Sequence, residues 1–287
     1  MRFCDIVRLY EKKCEAADVP AETVLAFLVE LTNQERYSLY LHYEDEMPED
    51  LQKTFEEGMK RILNQEPMAH VLGYSWFYGY KFIVNPGVLI PRPETEELCA
   101  GILARIDRHF PKGHVSCVDI GTGSGAIAIT VSKEEPRVVM DATDISESAL
   151  ETAVKNAEVN EADIHFLSGD MLEPLKKAGK KYDVLISNPP YIPEHEVMET
   201  SVVDFEPHVA LFGGEDGLKF YRMIFHDCRE VLKEKAFMAF EMGWNQREAM
   251  SRLVEEILPE MKYEIAADMN GKDRMLYVYR GMEKELE

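Results

Sequence analysis

The run Asn188-Pro189-Pro190-Tyr191 has the residue types needed to hold a planar amino group. Proline fixes its own φ and keeps the residue before it out of the helical region, so Asn188 is extended and the Pro189 carbonyl has a fixed direction. The Asn188 side-chain oxygen and the Pro189 backbone oxygen can each accept one hydrogen of an –NH₂ group, and Tyr191 offers an aromatic face to the flat group that carries it. We therefore predict that Asn188 and Pro189 are catalytic, that all four residues bind substrate and that Asn188 also contacts the cofactor. The alternative is a turn that only ends a strand.

A glycine-rich turn, Asp119-Ile120-Gly121-Thr122-Gly123-Ser124-Gly125, follows an apolar run and opens a helical one. Glycines permit a tight turn and a close approach of the backbone to a ligand, and the start of a helix leaves N–H groups unpaired. We therefore predict that residues 121–125 bind a cofactor. A dinucleotide-binding oxidoreductase has a similar turn, but glycines at 121, 123 and 125 depart from the GxGxxG spacing. A purely structural turn is the other alternative.

Acidic residues follow the next two predicted strands. Asp144 lies about twenty positions after the glycines, where a carboxylate can hold a ribose diol, as it does in nicotinamide and S-adenosylmethionine sites. Its alternative role is to cap the helix that starts near residue 147, although Ser146 could also fill that position. Asp170 and Met171, after the third strand, are placed to hold the amino edge and the ring face of an adenine. Their alternative roles are a surface turn and core packing.

These residues lie at the ends of a regular alternation of β-branched runs and amphipathic helices. We predict strands at 116–120, 138–143, 164–167, 182–187, 236–241, 263–267 and 275–279. Strands that alternate with helices form a parallel sheet covered on both faces, and ligands bind beyond the carboxyl ends of its strands. The last two strands have no helix between them and must pair antiparallel. A seven-stranded, mostly parallel, doubly wound sheet of this kind is the α/β fold of class I S-adenosylmethionine-dependent methyltransferases.

The first part of the chain has a different pattern. From Asp5 to about Asn64 apolar residues recur three and four positions apart, which predicts several short helices. Over residues 71–92 aromatic residues and glycines interleave, which predicts a β-hairpin connector. We therefore divide the chain into an N-terminal helical domain at 1–70, the connector at 71–92 and a catalytic domain at 93–287.

The composition limits the partners of the chain. The 53 acidic residues outnumber the 32 lysines and arginines, and the net charge of −21 repels phosphate backbones, so we expect no direct nucleic-acid substrate. Five widely spaced cysteines without a CxxC pair suit a reducing compartment and core positions. The N-terminal residues form no long apolar run, so we expect neither a signal peptide nor a spanning helix. We therefore predict a cytoplasmic protein with no membrane partner.

Together these motifs resemble those of the release factor glutamine methyltransferases, the HemK-type protein-glutamine N-methyltransferases. NPPY by itself is shared with adenine and cytosine amino methyltransferases that act on nucleic acid. The protein-glutamine branch is indicated by GVLIPRPETEEL at 87–98 and GGEDG at 213–217, supported by DIGTGSG at 119–125 and EMG at 241–243. The resemblance covers about residues 60 to 245, in the expected order.

The resemblance implies an enzyme that transfers a methyl group from S-adenosylmethionine, leaving S-adenosylhomocysteine, to the amide nitrogen (N5) of the glutamine in the Gly-Gly-Gln motif of peptide chain release factors. It implies that the helical domain docks the release factor. Because the sulfonium methyl is already activated, we expect that no metal is required. Arg92, Glu94 and Glu96 match the family string, either as site residues or as caps of the helix that begins near Pro93. The alternatives are a nucleic-acid amino (adenine) methyltransferase with the same NPPY geometry and a non-catalytic adaptor that binds translation proteins.

Overall fold

The computed structural model of the chain describes residues 1–196 and 204–283, which fall into two compact units. Residues 1–74 belong to the first unit, and residues 75–196 and 206–283 form the second. None of the helices in these described ranges is long and apolar enough to cross a membrane.

Helices alone build residues 1–73, as the three- and four-residue spacing predicts. They are α1 (Phe3–Ala16), α2 (Thr23–Thr32), α3 (Arg36–Leu41), α4 (Glu49–Ile62) and α5 (Met68–Leu72). Their apolar faces share one buried cluster, in which the rings of Phe27 and Phe55 lie 5.8 Å apart. Gly58 permits the close approach of α2 and α4, because a Cβ there would lie 2.3 Å from the Phe27 ring. The predicted helical domain is confirmed, and a further short helix, α5, lies beyond Asn64 at Met68–Leu72.

A β-hairpin follows, as predicted for the connector. Its strands are β1 (Tyr74–Phe77) and β2 (Tyr80–Ile83). The two residues between them, Tyr78 and Gly79, both have left-handed backbones, with φ of 52° and 80°. Two left-handed residues make the tight hairpin turn that matches the natural twist of the strands. Phe77 and Phe82 pack edge to face at 5.9 Å in the core of the second unit.

The remaining strands form one sheet with the order β5-β4-β3-β6-β7-β9-β8. They are β3 (Val115–Ile120), β4 (Val138–Asp144), β5 (Ile164–Ser168), β6 (Tyr182–Ser187), β7 (Leu232–Glu241), β8 (Lys262–Ala267) and β9 (Asp273–Arg280). The pairs among β3 to β7 are parallel, and β9 runs antiparallel to both β7 and β8. The predicted methyltransferase fold is confirmed.

One strand differs from its predicted bounds by four residues, whereas the bounds of the others agree to within two residues. β7 begins at Leu232, four residues before the predicted start at 236. The charged run Lys233-Glu234-Lys235 hides this extension, because a buried strand normally shows an apolar run. In the fold the extension is held by partners that are distant in sequence, since Leu232 pairs with Tyr182 and the Lys233 ammonium lies 2.7 Å from the Asp183 carboxylate.

Helices cover both faces of the sheet. They are α6 (Pro93–His109), α7 (Ala126–Glu134), α8 (Glu147–Val159), α9 (Glu173–Ala178), α10 (Lys219–Val231) and α11 (Arg247–Ile257), with a short 3₁₀ turn at His208–Ala210. Successive side chains of a strand point to opposite faces. Cys117 and Ile186 therefore join the cluster beneath α6 and α7, whereas Val118 and Leu185 join the cluster beneath α10 and α11. All five cysteines are buried and form no disulfide, which confirms their predicted core positions.

The carboxyl ends of the parallel strands meet along one edge of the sheet. Ile120 at the end of β3 pairs with Thr143 of β4 on one side and with Ser187 of β6 on the other. Asp144, the last residue of β4, pairs with Ser168, the last residue of β5. The loops that carry the glycine-rich turn, the acidic residues and NPPY therefore begin side by side.

Candidate active site

A cavity of about 360 Å³ lies at this edge, among residues of the second unit. Nine of the twelve residues predicted to form the site line it: Gly121, Thr122, Gly123, Ser124, Asp144, Asp170, Met171, Asn188 and Pro190. Gly125, Pro189 and Tyr191 are not among its lining residues. Arg92, for which a site role was one of two predicted alternatives, also lines the cavity. Further lining residues that were not predicted from the sequence include Leu89, Thr95, Ile145, Val209 and Phe220.

The glycines of the turn differ in what they do. Gly121 and Gly123 have φ of 70° and 55°, and no atom lies within 4 Å of where a Cβ would stand, so their backbone borders open space. Gly125 has φ of 81° and precedes α7, where a Cβ would lie 3.0 Å from Ile129 and 3.2 Å from Ala153. Gly121 and Gly123 are therefore suited to close contact with a ligand, whereas Gly125 permits the packing of α7 against α8.

Asp144 ties the glycine-rich turn to the following loop. Its Oδ2 accepts a hydrogen bond from the Gly123 N–H at 2.8 Å, and its Oδ1 accepts one from the Ser146 N–H at 2.9 Å. The N-cap of α8 is Ser146, whose hydroxyl accepts from the Ala149 N–H at 3.3 Å. Asp144 is therefore not the cap of that helix. Each carboxylate oxygen keeps a further lone pair that can accept a hydroxyl hydrogen.

Asp119, the second-last residue of β3, is a buried carboxyl next to the glycine-rich turn. Thr122 donates a hydrogen bond to its Oδ2 at 2.7 Å, while Oδ1 makes no hydrogen bond of normal geometry within the described ranges. Burial, and then the nearby charge of Asp144, raise the pKa of Asp119 to about 7, against the opposing effects of Thr122 and of the Ala128 N–H. An acidic residue inside the apolar run that precedes the glycines was the sequence signal for this group.

Asp170 and Met171, the residues predicted to hold the adenine, both line the cavity. The loop is anchored because the Gly169 N–H donates to the Asp144 backbone carbonyl at 3.0 Å. Asp170 is exposed, and Met171 has a left-handed backbone with φ of 44°. A non-glycine residue in that region costs about 1–2 kcal/mol, and such residues concentrate at ligand sites. Met171 also packs against the core beneath α10, so its two proposed roles, in the site and in the core, are compatible.

The four residues of NPPY separate into two groups. Asn188 and Pro190 line the cavity, whereas Pro189 is buried. Tyr191 turns its hydroxyl towards the interior and donates to Oε1 of the buried Glu241 at 3.2 Å. Burial raises the pKa of Tyr191 above its ordinary value, and the Glu241 charge adds to this effect. The role of Tyr191 as an aromatic face for the substrate stays a prediction.

Comparisons with known proteins identify the family of the chain. The PrmC N-terminal domain model matches residues 5–73, and the Methyltransferase small domain model matches residues 102–205. The release factor glutamine methyltransferase of Bacillus cereus is 44% identical over 244 residues, covering 84% of this chain and 86% of that protein. The corresponding protein of Enterococcus faecalis is 35% identical over 276 residues, covering 96% of this chain and 98% of that protein. This chain belongs to the release factor glutamine methyltransferase family.

A solved structure agrees at the level of fold. A methyltransferase from Pyrococcus furiosus superposes on 79% of this chain and on all of its own, with a TM-score of 0.54 and 18% sequence identity. At that identity the likeness concerns the fold alone.

The family string at 87–98 has structural partners that its sequence does not reveal. Arg92 forms an ion pair with Glu206, whose side chain is 1% exposed and also accepts from the Ile90 N–H at 3.1 Å. Glu96 accepts a hydrogen bond from the Tyr78 N–H at 2.7 Å. Arg92 therefore holds Glu206 beside the cavity, and Glu96 holds the hairpin turn.

The second family string, GGEDG, braces the backbone that follows NPPY. The Ile192 N–H donates to the Leu211 carbonyl at 3.1 Å, and the Gly213 N–H donates to the Ile192 carbonyl at 2.8 Å. A Cβ on Gly217 would lie 2.2 Å from the Tyr191 carbonyl oxygen, so only glycine fits there. The Gln246 side-chain amide donates to that same carbonyl at 3.0 Å. These contacts hold the backbone that directly follows Asn188 and the two prolines.

Proposed function

We propose that this chain transfers a methyl group from S-adenosylmethionine to the side-chain amide nitrogen (N5) of the glutamine in the Gly-Gly-Gln motif of peptide chain release factors. The observation that carries the proposal is that Asn188, preceding two prolines, borders the same cavity as Gly121, Gly123 and Asp144. The Asn188 side chain, which can accept amide hydrogens, thus lies beside three residues that are suited to bind a nucleoside cofactor. The family of the chain supports the choice of release factors as the substrate.

The residues around the cavity fit the cofactor. Side-chain-free backbone at Gly121 and Gly123 permits close contact, Asp144 has carboxylate lone pairs for ribose hydroxyls, and Met171 offers an apolar surface to a purine. Thr122, Ser124, Asp170 and Asn188, which were also predicted to bind the cofactor, line the same cavity, whereas Gly125 does not line it. S-adenosylmethionine would supply a methyl group that its sulfonium already activates.

The remaining task of the protein is to make an amide nitrogen reactive. Its lone pair is delocalised into the carbonyl, so attack requires a transition state in which positive charge grows on the nitrogen. We propose that the Asn188 side-chain oxygen and the Pro189 backbone oxygen accept the two N–H hydrogens and stabilise that charge, as preorganised dipoles do. Correct placement of the amide supplies a further part of the rate. The proton can leave after transfer, when the nitrogen is strongly acidic, so no dedicated base is needed.

We further propose that residues 1–70 dock the release factor and that the enzyme works in the cytoplasm, where translation takes place. Support for docking is the separate compactness of residues 1–74 and their match to a family domain. A docking unit lets most of the affinity arise away from the reacting amide, so that the cavity needs to recognise little more than the glutamine.

The test is methyl transfer from radiolabelled S-adenosylmethionine to a release factor that carries Gly-Gly-Gln, with a Gln-to-Ala release factor and duplex DNA as parallel substrates. We expect label in the first only. Label in DNA would favour the nucleic-acid amino methyltransferase, to which the net charge of −21 is unfavourable. Calorimetric titration with S-adenosylmethionine tests the adaptor alternative, since an adaptor without a cofactor site would release no heat.

A further inference from the structure

A chain of three side chains joins the substrate end of the cavity to the interior of the second unit. The Asn188 side-chain amide nitrogen Nδ2 lies 3.3 Å from the Thr95 hydroxyl oxygen, and the Thr95 hydroxyl lies 2.6 Å from Oε2 of Glu241. Thr95 is 4% exposed and Glu241 is 2% exposed, so water does not compete strongly for these bonds. Thr95 and Glu241 are 146 residues apart in sequence.

The Thr95 hydroxyl is not a cap of its own helix. Thr95 lies in the first turn of α6, and its backbone N–H already donates to the Arg92 carbonyl at 3.0 Å. Capping is done by a side-chain oxygen that accepts from backbone N–H groups, usually from the residue before the helix. The Thr95 hydroxyl instead forms hydrogen bonds with Glu241 on β7 and with Asn188 after β6. We therefore look for its role in these two contacts.

The chemistry of the three groups decides the direction of both hydrogen bonds. A carboxylate only accepts hydrogen bonds, so the one hydroxyl hydrogen of Thr95 is directed to Glu241. The lone pairs of Thr95 then face Asn188, where they accept from the amide nitrogen Nδ2 and would repel the amide oxygen Oδ1. With Nδ2 held by Thr95, the side of Asn188 turned away from Thr95 carries Oδ1, the atom that can accept from a substrate amide.

The surroundings of Glu241 favour this polarity. Tyr191 donates its hydroxyl hydrogen to the second carboxylate oxygen at 3.2 Å, and the Tyr221 hydroxyl donates to the Glu241 backbone carbonyl at 2.6 Å. Burial raises the pKa of Glu241, while the Thr95 and Tyr191 hydroxyls and the positive charge of Arg274 oppose that rise. The carboxylate therefore has two hydroxyl donors and a nearby guanidinium to support its charge.

We propose that Thr95 is a positioning residue, which fixes the orientation of the Asn188 amide so that Oδ1 rather than Nδ2 meets the hydrogens of the substrate amide. The inference rests on the proposed glutamine substrate. An asparagine amide is nearly symmetric in shape, and packing by itself cannot choose between its two orientations. If the Asn188 amide were rotated by 180°, its Nδ2 hydrogens would face the hydrogens of the substrate amide. One of the two proposed acceptors would then be lost.

The first test compares Thr95→Val, which removes the hydroxyl at nearly constant volume, with Thr95→Ser, which keeps it. We expect kcat for release factor methylation to fall about tenfold in Thr95→Val, less than for deletion of the acceptor itself, and to stay within about threefold in Thr95→Ser. The dissociation constant for S-adenosylmethionine should change less than about twofold in both variants. The matched control is Thr130→Val in α7, because Thr130 is fully buried and its hydroxyl has no hydrogen-bond partner in the described part of the chain. Equal losses in both valine variants would overturn the proposal.

A double-mutant cycle separates orientation from simple damage to the fold. In Asn188→Asp the two side-chain oxygens are equivalent, so no orientation needs to be chosen. We expect Thr95→Val to cost less than about twofold in that background, although it costs about tenfold beside Asn188. A tenfold loss in both backgrounds would show that Thr95 acts only through packing or through Glu241, and would contradict the positioning role.

A measurement without substrate distinguishes this inference from the proposed function. In protein labelled with ¹⁵N-asparagine, the Asn188 side-chain NH₂ signals are those lost in Asn188→Asp. We expect their hydrogens to exchange with water more slowly in the wild type and Thr95→Ser than in Thr95→Val, because Nδ2 is bonded to Thr95. If wild-type enzyme left the release factor unmethylated, the proposed function would fail while this exchange result still decided the contact. Identical exchange in all three proteins would refute the contact itself.

Discussion

The replacement Asp119→Asn should make the stability of the second unit respond differently to pH. Burial raises the pKa of Asp119 from 3.8 to about 7, so between these values the native state keeps a proton that the unfolded chain has released. The free energy of unfolding of the wild type therefore falls as pH rises through this window, and the contribution of Asp119 is level above pH 7. Asparagine has no proton to lose. The free energy of unfolding of the variant minus that of the wild type should therefore increase with pH, whichever protein is the more stable at a given pH.

The size of the effect follows from the width of the window. From pH 5 to pH 7 the contribution of one such carboxyl changes by about 1.4 kcal/mol per pH unit, which predicts that the stability difference between the two proteins shifts by about 2 to 3 kcal/mol in favour of the variant. From pH 7.5 to pH 8.5 the difference should be nearly constant.

Urea unfolding followed by tryptophan fluorescence measures this difference. The only two tryptophans of the chain, Trp76 and Trp244, both belong to the unit that contains Asp119. Both proteins are unfolded at pH 5, 6, 7 and 8 in buffers of equal ionic strength. A stability difference that is the same at all four values would refute the reasoning, because it would mean that Asp119 has the same proton occupancy in the native and unfolded states.

Three further predictions concern the site. Asn188→Ala should lower kcat by about 10²- to 10³-fold in single-turnover methylation of a Gly-Gly-Gln release factor. Asn188→Asp should be less impaired, because a carboxylate still accepts the amide hydrogen. A wild-type rate in the alanine variant would contradict the two-acceptor mechanism. Asp144→Ala should weaken S-adenosylmethionine binding by about 1 to 3 kcal/mol in calorimetry, since it removes charge-assisted bonds to the ribose, and unchanged affinity with normal turnover would exclude Asp144 from the site. A fragment that begins near Gly73 should still bind the cofactor but methylate intact release factor poorly. Circular dichroism shows whether the fragment is folded, so that low activity can be attributed to the loss of docking. Full activity of the fragment would contradict the docking role of residues 1–70.

Much of the fold could be predicted because its signals are local. A β-branched run such as 182–187 and the proline pair after it identify a strand and its end from adjacent residues, and the alternation with amphipathic helices requires a parallel sheet. The largest error in a strand bound, at Leu232, occurs where a charged run interrupts the local pattern and distant partners such as Tyr182 and Asp183 hold the strand.

The sequence by itself determined which residue types stand at the strand ends, and these residue types indicated the family. Of the twelve site residues predicted in this way, nine line the cavity. Only the tertiary structure decided how they are held. The pairing of Thr95 with Glu241 and of Arg92 with Glu206, and the inward turn of the Tyr191 hydroxyl, depend on side chains brought together across more than a hundred residues or by a neighbouring strand. The raised pKa of Asp119 is likewise a property of its surroundings. The direction of a hydrogen bond and the desolvation of a charge depend on neighbours in space. These neighbours come together only when the sheet forms, so a pattern in the sequence does not reveal them.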